Sequence, residues 1–136
     1  MKLQVTATPG LRVLCGFAAV MMVVQVWLLP EANFAEKIVN LTWDKAVHFT
    51  YYGTMAFLFW VAAGRRGPLW VWLAVSAIGG TDEILQIWEP GRDADLLDWV
   101  ADTLGSGVAL LVATRFTHSA PVAAAPPADA ATQTGD

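Results

Sequence analysis

The chain has 136 residues, of which 56% are hydrophobic and 15% are charged, and its mean hydropathy is +0.49. A soluble domain carries about 25% charged residues, so this composition argues against a soluble globule. The length argues against a multidomain enzyme. The single cysteine, Cys15, excludes an intrachain disulfide, and the net charge of −4 with scattered basic residues argues against a nucleic-acid-binding face. These features predict a small integral membrane protein.

Four apolar blocks, each of about 20 residues, predict four transmembrane helices, the length needed to cross a bilayer. The predicted spans are residues 11–29, 46–64, 68–88 and 96–116, which form one all-α membrane domain over residues 11–116. Residues 1–10 precede this domain, and the Ala-, Pro- and Thr-rich residues 117–136 predict a disordered tail. The first block also resembles a signal peptide, but its apolar run is long and no A-x-A cleavage pattern follows it, so a retained helix is expected.

The distribution of tryptophans and basic residues predicts the orientation. All seven tryptophans lie near the ends of predicted spans and form two predicted aromatic belts: Trp27, Trp43, Trp88 and Trp99 at one side, and Trp60, Trp70 and Trp72 at the other. Five basic residues (Lys2, Arg12, Arg65, Arg66, Arg115) fall on one side of the membrane and three (Lys37, Lys45, Arg92) on the other. The positive-inside rule therefore predicts that both termini are cytoplasmic.

Polar residues within the predicted spans are confined to the outer ends of three helices. They are Asp44, Lys45, His48 and Tyr52 around the second span, Asp82, Glu83 and Gln86 in the third, and Asp98 and Asp102 in the fourth, with Arg92 in the connecting loop. Because an Asp at the centre of a span costs about 2.5–3.5 kcal/mol, such residues indicate a functional site unless they are partnered. We therefore predict that these ten residues form a ligand-binding site.

Helix capping is the alternative explanation for some of these carboxylates. Asp44 and Asp95 fit N-caps, and Asp98 then lies where the helix dipole favours an anion. Capping does not explain Asp102, which lies too deep, or Asp82 and Glu83, which lie toward a helix C-terminus where the dipole disfavours anions. The small residues Gly79, Gly80, Gly105 and Gly107 are interpreted as sites of close helix approach.

Two polar stretches resemble the VanZ-like family of small bacterial membrane proteins. The first is Asp44-Lys45-x-x-His48-Phe49-x-x-Tyr52, and the second is Thr81-Asp82-Glu83-x-x-Gln86 followed by Pro90-Gly91-Arg92, Asp98, Asp102 and Gly105. The resemblance covers about residues 44–108 and departs from the family at Ala56, where a glycine is common. It implies a multi-pass protein of the bacterial inner, or cytoplasmic, membrane. The family is named for decreased susceptibility to teicoplanin, and it implies no agreed reaction.

Three functions remain open from the sequence. In the first, the polar residues bind an envelope lipid, or a phosphate or metal ligand. A divalent cation would be a possible cofactor, with Asp82, Glu83, Asp98, Asp102 and His48 as candidate ligands. The second is a structural role in which the polar cluster pairs helices, a second copy or a membrane protein partner. The third is proton- or ion-coupled transport. No nucleophile motif is present, so the sequence does not indicate catalysis. It does not exclude catalysis either.

Overall fold

The computed structural model describes residues 7–28, 41–88 and 94–117, and every regular element within these ranges is an α-helix. The helices are α1 (Pro9–Leu28), α2 (Leu41–Ala62), α3 (Pro68–Gln86) and α4 (Leu96–Phe116). The predicted all-α fold with four helices is confirmed, and each helix overlaps one predicted span. Two predictions concern residues outside these ranges: Arg92 in its loop, and the tail of residues 117–136 apart from Thr117.

Local sequence explains where the helices begin. Gly67 has a φ of 57° and Pro68 follows it, so α3 starts where a left-handed residue ends the turn and proline fixes the first helical φ. At α4, the side chain of Asp95 accepts a hydrogen bond from the Leu97 N–H at 2.8 Å, which confirms the predicted N-cap.

The interpretation of Asp44 as an N-cap is wrong. Helix α2 begins at Leu41, and Asp44 lies inside its first turn. The prediction placed the start of the span by its apolar run. A helix is limited by backbone hydrogen bonding rather than by hydropathy, so it continues through the polar residues at its end. Asp44 and Lys45 are therefore held on a regular helical face.

Helix α2 is the centre of the bundle. It packs against α1, α3 and α4, and its longest contact is with α4, whereas α1 and α4 do not touch within the described ranges. The backbones of α2 and α4 meet at Gly105, where an added Cβ would lie 2.1 Å from the carbonyl oxygen of Phe49. Only glycine permits this approach, so the predicted role of Gly105 in helix packing agrees with the structure.

An apolar core fills the half of the bundle around the α2–α3 turn. Met55, Ala56 and Val75 have no exposed surface, and Trp60 and Leu110 are almost completely buried.

Burial of Trp60 differs from its predicted place in an aromatic belt. Two further indoles also serve packing between helices: Trp72 and Trp99 donate hydrogen bonds across the α3–α4 contact to the carbonyls of Thr103 and Ser76. An indole N–H finds a backbone acceptor there instead of a lipid headgroup.

Two of the four helices, Pro9–Leu28 and Leu96–Phe116, are long and apolar enough to cross a membrane by length and composition, with mean hydropathies of 2.0 and 1.5. Their outer faces expose large apolar side chains such as Leu14, Phe17, Leu104 and Leu111. Exposed apolar faces of this extent are typical of contact with lipid. The predicted spans through α2 and α3 remain predictions.

Candidate functional site

Lys45 connects α2 to the beginning of α4. Its ammonium donates hydrogen bonds to the carboxylates of Asp95 and Asp98, and it also lies 3.8 Å from an oxygen of Asp44. Asp98 is 7% exposed, so its charge is nearly removed from solvent. A buried carboxylate requires a cation or donor close by, and Lys45 supplies both.

His48 lies one turn deeper and links α2 to α4 a second time. Its Nδ1 is 2.9 Å from Oδ1 of Asp102, and its Nε2 is 3.9 Å from Oδ1 of Asp44. Tyr52 stacks on the imidazole with ring centroids 6.2 Å apart. The ring is thus positioned by a carboxylate on each side and an aromatic ring on its face, an arrangement that fixes its orientation.

Helix α3 supplies the third side of the site. The Tyr52 hydroxyl donates to Asp82 at 3.5 Å, and the Gln86 amide donates to Asp82 at 3.1 Å and to Glu83 at 3.5 Å. Glu83 accepts a hydrogen bond of 2.7 Å from the backbone N–H of Asp95, which joins the C-terminal part of α3 to the start of α4. This contact holds the Glu83 carboxylate near a helix N-terminus, where a negative charge is favoured.

These contacts join nine of the ten predicted site residues and Asp95 into one continuous set, which we call the polar network. Its members are Asp44, Lys45, His48, Tyr52, Asp82, Glu83, Gln86, Asp95, Asp98 and Asp102. The tenth predicted residue, Arg92, lies outside the described residues. The network contains six carboxyl groups against one lysine and one histidine. It therefore has an excess of hydrogen-bond acceptors and of potential negative charge.

Helical spacing and small residues explain why the network assembles. Asp98 and Asp102 are four residues apart, so they share one face of α4, and Asp95 is the N-cap of that helix, three residues before Asp98. Gly79 brings α3 onto that face, since an added Cβ would lie 2.6 Å from Oδ2 of Asp102. Gly105, about one turn beyond Asp102 on α4, allows α2 to approach α4 closely at the same level. The close contact predicted for these two glycines is thus what places the carboxylates of α4 beside α2 and α3.

The site also contains features that the sequence interpretation missed. The sequence predicts Asp95 only as a helix cap, yet its carboxylate also pairs with Lys45. Its spacing from Asp98 and Asp102 was the available signal.

The Lys45 ammonium and the Leu97 N–H hold the pKa of Asp95 below its ordinary value. This pairing contributes stability above the ordinary pKa and loses it as the pH falls through the lowered value.

An apolar groove opens beside the polar network between α2 and α4. It is lined by Lys45, Ala46, Phe49 and Thr50 of α2 and by Leu97, Val100, Ala101 and Leu104 of α4, and its volume is about 560 Å³. Ligand pockets commonly have volumes of about 300–1,000 Å³. Lys45 belongs to both the groove and the network, so a polar and an apolar binding surface are adjacent.

Comparison with known proteins now adds to this geometry. Residues 7–117 match the VanZ/LLP1 family. The chain belongs to this family. The match extends beyond the motifs at residues 44–108 and includes α1, which carries none of them. No curated protein matches the chain, and no solved structure does. Membership of the VanZ/LLP1 family and the two apolar helices together indicate a membrane protein.

Proposed function

We propose that this VanZ/LLP1-family protein binds an envelope lipid, with the headgroup at the polar network and an acyl chain in the groove between α2 and α4. The observation that carries this proposal is the place of Lys45, which ion-pairs within the network and also lines the apolar groove. A ligand that fills both surfaces must be amphiphilic. An envelope lipid is the amphiphile that a membrane protein meets at high concentration.

The chemistry of each part fits one part of a lipid. The groove wall is formed mainly by Phe49, Leu97, Val100 and Leu104, whose side chains offer only dispersion contacts to an acyl chain. At its end, the network offers carboxylate acceptors for hydroxyl or amine donors of a headgroup. Lys45 supplies a cation for a headgroup phosphate, and Arg92, which lies outside the described residues, stays a prediction from the sequence as a second cation.

Native mass spectrometry of the detergent-purified protein tests this proposal. The wild type should retain a lipid that survives delipidating detergent. Ala46→Leu narrows the groove and Glu83→Gln alters the network, so each should reduce lipid occupancy at least fivefold. Ala77→Leu is the matched control, because Ala77 is exposed on α3 outside the groove. A lipid-free wild type, or equal occupancy in Ala46→Leu and Ala77→Leu, would contradict lipid binding at this groove.

A structural role is the second candidate, and the connectivity of the network favours it. The network joins α2, α3 and α4 through side chains buried in the bundle. Buried ionic contacts can fix the register of helices without adding stability. Under this alternative, Glu83→Gln lowers accumulation of the protein or releases a partner, and it has no specific effect on lipid occupancy.

The membrane arrangement is part of the proposal. Four spans, cytoplasmic termini, an outward-facing network and a location in the bacterial inner membrane are supported by the four helices and the distribution of basic residues. Residues 11–116 would form the membrane domain, between a cytoplasmic segment of residues 1–10 and a cytoplasmic tail of residues 117–136. Topology reporters fused after Gly67 and after Gly91 test this. The first should report the cytoplasm and the second the outside, and the reverse would overturn the orientation.

A link to teicoplanin susceptibility is supported only by the family name. Expression of the protein in a susceptible Gram-positive host tests it. A raised inhibitory concentration for teicoplanin that is lost in Glu83→Gln would support the link and connect it to the network. An unchanged inhibitory concentration, with the protein present in the membrane, would remove it.

A further inference from the structure

Three side chains from three helices converge at the deep end of the polar network. His48 of α2, Glu83 of α3 and Asp102 of α4 each offer one ligand atom, and these atoms lie within 4.8 Å of one another. Glu83 is 7% exposed and Asp102 is fully buried. We infer that these three residues form a binding site for a divalent transition-metal ion, Mn²⁺ or Zn²⁺, which goes beyond the proposed lipid binding.

An unpartnered carboxylate oxygen is the independent observation behind this inference. Oδ1 of Asp102 contacts His48, but Oδ2 is buried and accepts no hydrogen bond within the described residues. Oδ2 lies against α3, the helix that carries Glu83, as its closeness to Gly79 shows. A fully buried carboxylate oxygen without a partner is costly, and a metal ion bound by the carboxylate removes that cost.

Charge in the network favours the same conclusion. Six carboxyl groups are opposed by Lys45 and His48, so one divalent ion would bring the cluster closer to neutrality. A second group of ligand atoms, from Asp44, His48 and Asp98, is also compact. There, however, the Lys45 ammonium already bonds to Asp98 and lies near Asp44. Within the described residues Glu83 and Asp102 make no ion pair with that lysine, and theirs are the carboxylates whose oxygens lie close to His48 and to each other.

The donor set selects the class of metal. One imidazole nitrogen with two carboxylate oxygens suits Mn²⁺ or Zn²⁺, whereas Mg²⁺ prefers oxygen ligands alone. The 2.9 Å between His48 Nδ1 and Asp102 Oδ1 also fits two adjacent ligands. Two ligand atoms at right angles around an octahedral ion such as Mn²⁺, each about 2.1 Å from it, lie about 3.0 Å apart. A metal that takes the place of the proton between these two atoms and is held by both oxygens of Asp102 would also give Oδ2 a partner, and Glu83 would complete the three ligands.

Calorimetric titration of the full chain in detergent, after chelator treatment, tests the site with Mn²⁺ alone and Zn²⁺ alone. The wild type should bind one ion per chain, and Glu83→Gln and Asp102→Asn should each weaken binding at least tenfold. Thr81→Ala is the matched control, because Thr81 is exposed on α3, lies outside the polar network and donates its hydroxyl to the Ala77 carbonyl of its own helix. Its affinity should stay within threefold of wild type.

Pulsed electron paramagnetic resonance of the Mn²⁺-loaded wild type supplies a measurement that does not depend on a variant folding. It should show coupling to an imidazole nitrogen, and His48→Gln should lose that coupling. Several results would overturn the site: no saturable binding of either ion, binding of Mg²⁺ alone, or loss in Asp44→Asn and Asp98→Asn with retention in Glu83→Gln. Because no lipid is added, metal binding by a protein that retains no lipid would refute only the proposed function.

Discussion

The two ends of the helical bundle are built on opposite principles. At the end near the α2–α3 turn, which we call the apolar end, Met55, Ala56 and Leu110 fill the space between helices. At the other end, the polar network joins the same helices through charged side chains. Apolar packing fixes a helix pair without any desolvation of charge, whereas buried ion pairs return little net stability. The fold therefore depends mainly on packing at the apolar end, and this is why we propose binding rather than stability as the role of the network.

The contact between α2 and α4 midway between these ends should be the most sensitive position. Gly105→Ala places a Cβ 2.1 Å from the Phe49 carbonyl oxygen, a backbone atom that cannot move without separating the helices. We expect the variant to fail to accumulate in the membrane, as measured by immunoblot of membrane fractions. Gly10→Ala is the control, because its Cβ meets nothing within 4 Å. Equal accumulation of both variants would show that the contact is not needed.

Removing the lysine should reveal the cost of the charged end. Lys45→Met leaves Asp98, which is 7% exposed, without its cation. We expect the unfolding free energy in detergent to fall by about 3 kcal/mol, the lower limit for a broken buried pair, since the Lys45 side chain is 31% exposed. The double variant Lys45→Met/Asp98→Asn should recover at least half of the loss. No recovery would mean that Lys45 stabilises through its aliphatic stem rather than its charge.

A cavity at the apolar end should reduce stability and leave binding unchanged. Met55 is fully buried, and Met55→Ala should lower the unfolding free energy by about 2 kcal/mol. The loss is at the low end for such a substitution because lipid is as apolar as the core. Lipid and metal occupancy should match the wild type. Lost occupancy in a folded Met55→Ala protein would show that the two ends are coupled.

Two adjacent tyrosines allow the finest comparison. The Tyr51 hydroxyl donates to the Met22 carbonyl of α1 at 2.9 Å, and the Tyr52 hydroxyl donates to Asp82 in the network at 3.5 Å. Tyr51→Phe should cost about 1 kcal/mol of stability, and Tyr52→Phe less, because its hydrogen bond is longer. Only Tyr52→Phe should change the affinity for the proposed lipid or metal ligand. Calorimetry on both variants measures their stability and their affinity for the ligand. A change in ligand affinity with Tyr51→Phe but not with Tyr52→Phe would contradict the account.

Much of the site could be predicted because helical spacing fixes which residues share a face. Asp98 and Asp102, or Asp44 and His48, are four residues apart, and the short α3–α4 connection makes those helices neighbours. The four helices followed from apolar runs of span length. Glycine at 105 also indicated where helices approach closely.

The remaining features depend on tertiary packing. Hydropathy places the edge of an apolar run, not the end of hydrogen bonding, so the start of α2 at Leu41 was missed. Trp60 lies near a span end, but only the packing of α2 determines that it turns into the core. The pairing of Lys45 with Asp95 depends on how α2 crosses α4. Such a contact has no signature in the spacing of either helix alone.

The most direct test of the central claim is the double variant His48→Leu/Asp102→Leu, studied by native mass spectrometry and thermal unfolding on one sample. Two leucines replace a buried ionic contact with apolar groups. The account predicts a folded protein at least as stable as the wild type that has lost its bound lipid. A variant that fails to accumulate, or that accumulates with its lipid retained, would contradict a binding role for the polar network.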